Sequence, residues 1–119
     1  MKKLRVINNT RKIILVERGQ LADSWFPRLI GLMGRRSFEA GDGLWLAGEK
    51  AIHSFGMLVP IDVLYLDARG LILRADAGMA PWRMGLLVRG VNDVLELPIG
   101  TIARTGTRCG DHISYEAIE

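Results

Sequence analysis

The chain has 119 residues, of which 49% are hydrophobic and 24% are charged, and its formal net charge is +3. This length fits a single domain, residues 1–119, with enough apolar material for a core of its own. It carries one cysteine, Cys109, which excludes an intrachain disulfide, so the predicted fold does not need an oxidising compartment.

The positive charge is concentrated in residues 1–18, which carry six basic residues and one acidic residue. A nucleic-acid-binding domain is expected to spread a basic face through its fold, so this distribution argues against a nucleic-acid partner. We expect these charges to lie on solvated edge strands, where they discourage aggregation. Contact of this basic arm with RNA or an anionic surface is the alternative.

No segment approaches the ~18 consecutive apolar residues of a membrane span. The longest apolar run near the N-terminus, residues 13–16, is shorter than the hydrophobic region of a signal peptide. The sequence therefore predicts no membrane span and a cytoplasmic location.

The first half of the chain predicts a hairpin followed by a helix. Residues 4–7 and 12–17 are predicted strands around a turn at residues 8–11, because asparagine tolerates the left-handed backbone region. A helix is predicted over residues 25–33, with an N-cap at Asp23 or Ser24 and hydrophobic residues at helical spacing.

The rest of the chain predicts short strands and one more helical turn. The strands are predicted at residues 44–46, 51–57, 60–66, 71–76, 94–97 and 113–118. Residues 67–70 form a tight turn between two of them. Thr101 is predicted to cap a short helix over residues 102–104, and Gly106 is predicted to end it.

These elements predict an α+β fold that is mostly β. The architecture is a small, partly closed antiparallel β-barrel or sandwich with one or two short helices.

Four stretches, taken in order and spacing, resemble the domain-of-unknown-function 192 family of bacteria and archaea. They are RLIGLMGR at residues 28–35, IHSFGM at 52–57, PIDVLYLD at 60–67, and VLELPIGT at 94–101 followed by Gly110-Asp111. The resemblance covers residues 21–113 and implies a small β-rich domain whose helix carries the GLMGR motif. No established reaction comes with it. The family often has a Trp-Met-Lys-Asn-like string where this chain has FGML at residues 55–58.

Several catalytic motifs are missing from the sequence. It has no phosphate-binding glycine-rich loop ending in lysine, no Gly-x-Ser-x-Gly elbow and no histidine pair at metal spacing. The three residues that favour zinc, Cys109, His53 and His112, are scattered. We therefore predict no metal and no cofactor.

Asp62 and Glu96 are the candidate functional carboxylates, because each lies in or beside an apolar strand. A carboxylate there must be hydrogen-bonded or its pKa rises. Either residue could be a general base or a polar anchor in a pocket. The structural alternative is that Asp62 accepts backbone N–H groups in a turn and Glu96 pairs with Arg28 or Arg35.

His53 and Met57 share one face of a predicted strand, and His53 could titrate or contact a ligand. Its alternative role is that of a partly buried histidine with one satisfied nitrogen. Arg28 and Arg35 could bind an anion, or could cap the helix. Cys109 is predicted to be a small buried thiol rather than a partner of His112.

Three functions follow from these residues. The leading one is a non-enzymatic small-ligand-binding or accessory domain with a shallow polar pocket near His53, Met57, Asp62 and Glu96, completed by Arg28 and Arg35. The second is a hydrolase- or isomerase-like enzyme that uses His53 with Asp62 or Glu96. The third is an interaction or assembly module that binds a protein partner through strand edges and the basic hairpin.

Overall fold

A computed structural model describes residues 2–22, 38–48, 60–79 and 88–118. Within them the chain forms seven strands and one short helix. They are β1 (Lys2–Asn8), β2 (Ile13–Ala22), β3 (Asp42–Ala47), β4 (Ile61–Leu66), β5 (Ile72–Met79), β6 (Asp93–Pro98), α1 (Thr101–Thr105) and β7 (Ile113–Ala117). The helix predicted over residues 25–33 and the strand predicted over residues 51–57 lie outside the described residues. None of the helical structure in the described ranges is long and apolar enough to cross a membrane.

The seven strands form one sheet in the order β5-β4-β6-β3-β2-β1-β7. Neighbours are antiparallel except for β2 and β3, which are parallel. A parallel pair needs a long crossover connection, which residues 23–41 supply between these two strands. The mostly β, α+β fold is therefore confirmed, with one parallel pair in an otherwise antiparallel sheet.

The sheet curls strongly into a half-barrel. Trp45 on β3 and Tyr115 on β7 stack edge to face, with ring centroids 4.8 Å apart. Three strand spacings separate β3 from β7, which in a flat sheet would place them about 14 Å apart. The two aromatic rings meet because both point into the concave side of the sheet.

A short seam joins the start of β7 to the turn between β4 and β5. Leu71 and His112 form a β-bridge. The N–H of Ile113 donates to the carbonyl of Gly70 at 2.8 Å, and the N–H of Ile72 donates to the carbonyl of Asp111 at 2.9 Å. This seam connects the two ends of the strand order and partly closes the barrel.

The central strands of the sheet are buried on both faces. The concave face packs an inner core that includes Leu4, Val6, Leu15, Val16, Leu21, Trp45, Leu64, Leu66, Ile72, Leu95, Leu97 and Ile113. The convex face packs an outer core of Leu44, Leu46, Ile61, Val63, Tyr65, Val91 and Val94. Every residue of β4 is buried, as the apolar run at residues 63–66 predicts for a central strand.

Asp111, which is 4% exposed, is the polar anchor of the seam. Its carboxylate accepts hydrogen bonds from the Asn8 side chain at 3.0 Å, from Arg11 Nε at 2.7 Å and from the Arg108 N–H at 3.1 Å. Burial works to raise the pKa of Asp111, but the hydrogen bonds from Asn8, Arg11 and Arg108 outweigh it and hold the pKa below its ordinary value.

Two expectations for the N-terminal hairpin are wrong. Its basic strands β1 and β2 are not edge strands, since β7 and β3 flank them in the sheet. The left-handed residue of the turn is Lys12, with φ 56°, and not an asparagine. Asn8 is instead fully buried in β1, where its amide bonds Thr107 and Asp111.

We predict that Gly70→Ala destabilises the protein by about 3 kcal/mol, measured by urea denaturation. Gly70 has φ +87°, and a Cβ there would collide with the carbonyl oxygen of Ile113 across the seam. Gly110→Ala is the matched control, because Gly110 has φ +95° but no atom within 4 Å of a built Cβ. The control should lose only about 1 kcal/mol from backbone strain. Equal losses would show that the close approach at the seam does not matter.

We also predict that Asp111→Asn costs about 2 kcal/mol at neutral pH, because charge-assisted hydrogen bonds are lost. The folded-state pKa of Asp111 is lowered, so its contribution is present above pH ~4 and is lost as the pH falls through the folded pKa. Unfolding free energies of both proteins between pH 7 and pH 2 should therefore converge in acid. A difference that stays constant over this range would contradict the assignment.

Candidate functional site

Asp62 lies on β4 and connects two distant parts of the chain. It is 1% exposed and pairs across the sheet with Leu97, a residue of the inner core. Its Oδ1 accepts the N–H of Gly78 at 2.9 Å, and its Oδ2 accepts the N–H of Ile102 at 2.9 Å. Asp62 thus receives backbone N–H groups from the end of β5 and the start of α1, rather than within a turn.

This contact also replaces the predicted helix cap. Gly100 occupies the N-cap position of α1 without a side-chain hydrogen bond, and Thr101 donates its hydroxyl to the carbonyl of Pro98 at 2.8 Å. The first-turn N–H of Ile102 is satisfied by Asp62 from another strand. The predicted end of the helix is confirmed, since Gly106 is left-handed and its N–H bonds the carbonyl of Ile102.

Glu96 lies on the opposite face of the sheet from Asp62. It is 3% exposed and lies between Leu44 and Val63, both of which belong to the outer core. Directly paired residues share a face, and successive residues of a strand alternate. The structure therefore does not bring the two predicted carboxylates together.

Glu96 instead lies near a group of polar side chains on the convex face, which we call the outer polar cluster: Tyr65, Arg74, Asp76 and Glu96. Val63 pairs with Glu96 on one side and with Asp76 on the other, and Tyr65 pairs with Arg74. Arg74 Nε donates to Asp76 Oδ1 at 2.8 Å. Arg74 and Asp76 retain side-chain exposures of 42% and 22%, so this side of the cluster reaches solvent.

Tyr65 is the unusual member of the outer polar cluster. It is 0% exposed, and its hydroxyl lies beside the Asp76 carboxylate, but no contact within the described residues meets the full distance and angle requirements of a hydrogen bond. Burial raises the pKa of the Tyr65 phenol well above its ordinary value, and the Asp76 carboxylate raises that pKa further through its charge and its contact with the hydroxyl, with a smaller contribution from Glu96. The group is therefore a neutral hydrogen-bond donor at physiological pH.

The other predicted site residues, His53, Met57, Arg28 and Arg35, lie outside the described residues. The predicted buried thiol is wrong, because Cys109 is exposed and its Sγ contacts the carbonyl oxygens of Ile72 and Leu73 at 3.3 Å. His112 contacts Asn9 and the Arg69 carbonyl through its two ring nitrogens. In the four described ranges no three His, Cys, Asp or Glu side chains form a group that could hold a metal ion.

Sequence reasoning missed Tyr65, Arg74 and Asp76. A tyrosine inside the apolar run of β4 has the pattern of an ordinary core residue. Arg74 and Asp76 alternate with apolar residues in β5, a pattern that predicts a strand but gives these two side chains no functional role. Pairing the predicted strands could have revealed these residues, because Arg74 and Asp76 then lie on the same face of the sheet as Tyr65 and Glu96.

The described residues form a small β-rich half-barrel with a polar group embedded in its outer core. The chain belongs to the DUF192 family, described as an uncharacterised ACR, whose profile matches residues 6–115. A UPF0127 protein of Thermococcus sibiricus is 30% identical over 96% of this chain and 76% of its own length. A UPF0127 protein of Pyrococcus abyssi is 25% identical over 92% of this chain and 96% of its own.

Two solved structures share the fold. A protein of Sinorhizobium meliloti 1021, named as a candidate transcription regulator, superposes with a TM-score of 0.81 and is 26% identical, covering 96% of this chain and 92% of its own. A protein of unknown function from Novosphingobium aromaticivorans superposes with a TM-score of 0.80 and is 20% identical, covering 94% of this chain and 83% of its own. The family is thus shown, and it brings no established activity.

We predict that Asp62→Asn destabilises the protein by about 2 kcal/mol, because the new amide nitrogen would face one of the two backbone N–H groups that the carboxylate now accepts. Glu116→Gln is the control: the same chemical change at an exposed ion pair should cost less than about 0.5 kcal/mol. Urea denaturation measures both. An Asp62→Asn protein as stable as the control would show that Asp62 does not hold α1 and β5 in place.

Proposed function

We propose that the protein is a non-enzymatic small-ligand-binding domain whose pocket lies over the outer polar cluster. The observation that carries this proposal is the Tyr65 hydroxyl, which is fully buried and, with the Asp76 carboxylate beside it, makes no hydrogen bond of full geometry within the described residues. The proposal takes the chain as a single cytoplasmic domain.

The buried hydroxyl has a free-energy cost that a ligand would remove. Leaving a buried donor unsatisfied costs about 1–3 kcal/mol, and a phenylalanine at the same position would avoid that cost. A buried polar group of this kind calls for an explanation, and a bound acceptor is the simplest one. The hydroxyl would then donate to an oxygen or nitrogen of the ligand.

The surroundings of Tyr65 define the kind of ligand. Leu44, Val63 and Val94 are its buried apolar neighbours on the same face. The carboxylates of Glu96 and Asp76 add hydrogen-bond acceptors, and Arg74 adds a donor at the exposed side. This combination suits a small molecule with an apolar body and a few polar groups, the usual content of a ligand pocket.

Fewer residues can support the enzyme alternative than the sequence suggested. Both oxygens of Asp62 are occupied by backbone N–H groups, which leaves Glu96 as the carboxylate that could work with His53. The ligand-binding proposal is favoured because its evidence, the Tyr65 hydroxyl, lies within the described residues.

We predict that Tyr65→Phe keeps or raises stability, by about 1 kcal/mol in urea denaturation, because it removes an unsatisfied buried group without changing the packed ring. Tyr115→Phe is the matched control, since Tyr115 is 41% exposed and its ring packs on Trp45. The control should stay within about 0.5 kcal/mol of the native protein. A loss of more than 1 kcal/mol in Tyr65→Phe would reveal a structural partner for the hydroxyl and remove the main support for the proposal.

The binding itself is tested with a library of small polar fragments screened by NMR. Fragments that bind should shift the amide signals of Val63, Tyr65 and Glu96. Tyr65→Phe should weaken the affinity of these fragments about tenfold, and Tyr115→Phe should leave it unchanged. Hits that shift only signals elsewhere, or that bind Tyr65→Phe equally well, would overturn the proposal.

A further inference from the structure

A groove of about 360 Å³ lies on the surface of the N-terminal hairpin, far along the strand order from the outer polar cluster. Ile7, Ile13 and Ile14 line it, and Ile14 is 44% exposed. Arg5 and Ile7 alternate with Leu4 and Val6 of the inner core, so they face outward from the sheet. We call this site the hairpin groove.

The hairpin groove combines its apolar lining with positive charge. Arg5 and Lys12 both line it, together with one carboxylate, Glu116. Arg5 pairs with Glu116 at 3.0 Å, but both side chains are about half exposed, and such surface pairs exchange partners at little cost. Lys12 forms no ion pair with any residue of the described ranges. The groove therefore attracts negative charge.

Lys12 is also held in a strained backbone conformation. Its φ of 56° lies in the left-handed region, which asparagine or glycine adopts more easily than lysine. Lysine at position 12 therefore costs conformational free energy that asparagine or glycine at the same position would avoid. The long cationic side chain is the property that neither replacement would retain.

The spacing of the two cations matches an extended chain. Asn9 directly follows β1 and is four residues from Arg5, which corresponds to about 13 Å of extended chain, and Lys12 lies in the same turn as Asn9. In an extended segment, residues i, i+2 and i+4 share one face and span the same distance. Acidic residues at i and i+4 would reach Arg5 and Lys12, while an apolar residue at i+2 would meet the isoleucines.

We propose that the hairpin groove binds an extended acidic segment of a partner protein with the pattern acidic-x-apolar-x-acidic. The proposal is independent of the ligand pocket at the outer polar cluster.

Other occupants fit this groove less well. Single-stranded RNA would require aromatic side chains on which bases stack, and no aromatic residue is among the described residues that line the groove. A membrane surface would meet protruding apolar residues, whereas these isoleucines line a concavity. A second copy of the chain would bring Arg5 and Lys12 of both copies together and repel them.

The test uses the full chain with methyl-labelled isoleucines and a blocked peptide that contains Glu-Thr-Leu-Thr-Glu. Its titration should shift the methyl signals of Ile7, Ile13 and Ile14 in a saturable way that weakens between 50 and 300 mM salt. The isomer Glu-Leu-Thr-Thr-Glu, with the same charge but the leucine on the other face, should bind at least fivefold more weakly. The Lys-Thr-Leu-Thr-Lys peptide should not bind.

Variants distinguish binding in the hairpin groove from attraction by the overall charge of the protein. Lys12→Glu should weaken the affinity for the acidic peptide about tenfold, because an attraction becomes a repulsion. Lys2→Glu should change that affinity less than twofold. Lys2 is exposed at the other end of β1 and does not line the groove. Lys12→Asn removes the charge but suits the left-handed turn, so its weaker binding cannot come from misfolding.

Four outcomes would overturn the proposal. They are equal binding of the two leucine isomers, equal effects of Lys12→Glu and Lys2→Glu, isoleucine shifts produced by an RNA oligonucleotide or phosphatidylserine vesicles but not by the acidic peptide, and self-association through these isoleucines in the absence of peptide.

Discussion

The hydrogen bonds that join the start of β7 to the β4–β5 turn maintain the curl on which the rest of the structure depends. They link residues at the two ends of the strand order, Gly70 to Ile113 and Ile72 to Asp111. A backbone bond across this seam requires close approach, and Gly70 allows it because it has no side chain. With the ends tied, the sheet must bend, and its concave side becomes narrow enough for Trp45 and Tyr115 to touch.

The curl also determines what the polar residues of the central strands can do. β4 and β6 are buried on both faces, so each polar side chain on them must find a partner inside the protein or in a ligand. Asp62, on the concave side, satisfies this requirement with two backbone N–H groups and connects α1 to β5. The Tyr65 hydroxyl, on the convex side, finds no such partner within the described ranges. The difference between an anchor and a candidate site is therefore the difference between a satisfied and an unsatisfied buried group.

Much of the fold could be predicted from the sequence, because strand patterns and turns are local. The hairpin of β1 and β2, the fully buried β4, the turn at residues 67–70 and the helix stop at Gly106 all follow from nearby residues. The contacts that define the site are not local. Asp62 bonds residues 16 and 40 positions away, and Asn8 bonds Asp111 across 103 positions. No periodicity reveals such partners, which is why the sequence left the role of Asp62 open and why Tyr65 had the pattern of a core residue.

The same sheet can support two separate binding surfaces because the pairing of its strands distributes exposure unevenly. Over β4 and β6 the convex face is covered by apolar residues, which isolates the outer polar cluster from most of the solvent. Over β1 and β2 that covering is incomplete, and Ile14 and the cations remain accessible. A covered polar group favours a small molecule that can enter a pocket, whereas an open apolar groove with flanking charges favours a polypeptide. Both proposed surfaces are built on strands of one tied sheet, but they lie apart in the strand order, so neither requires the other to be occupied.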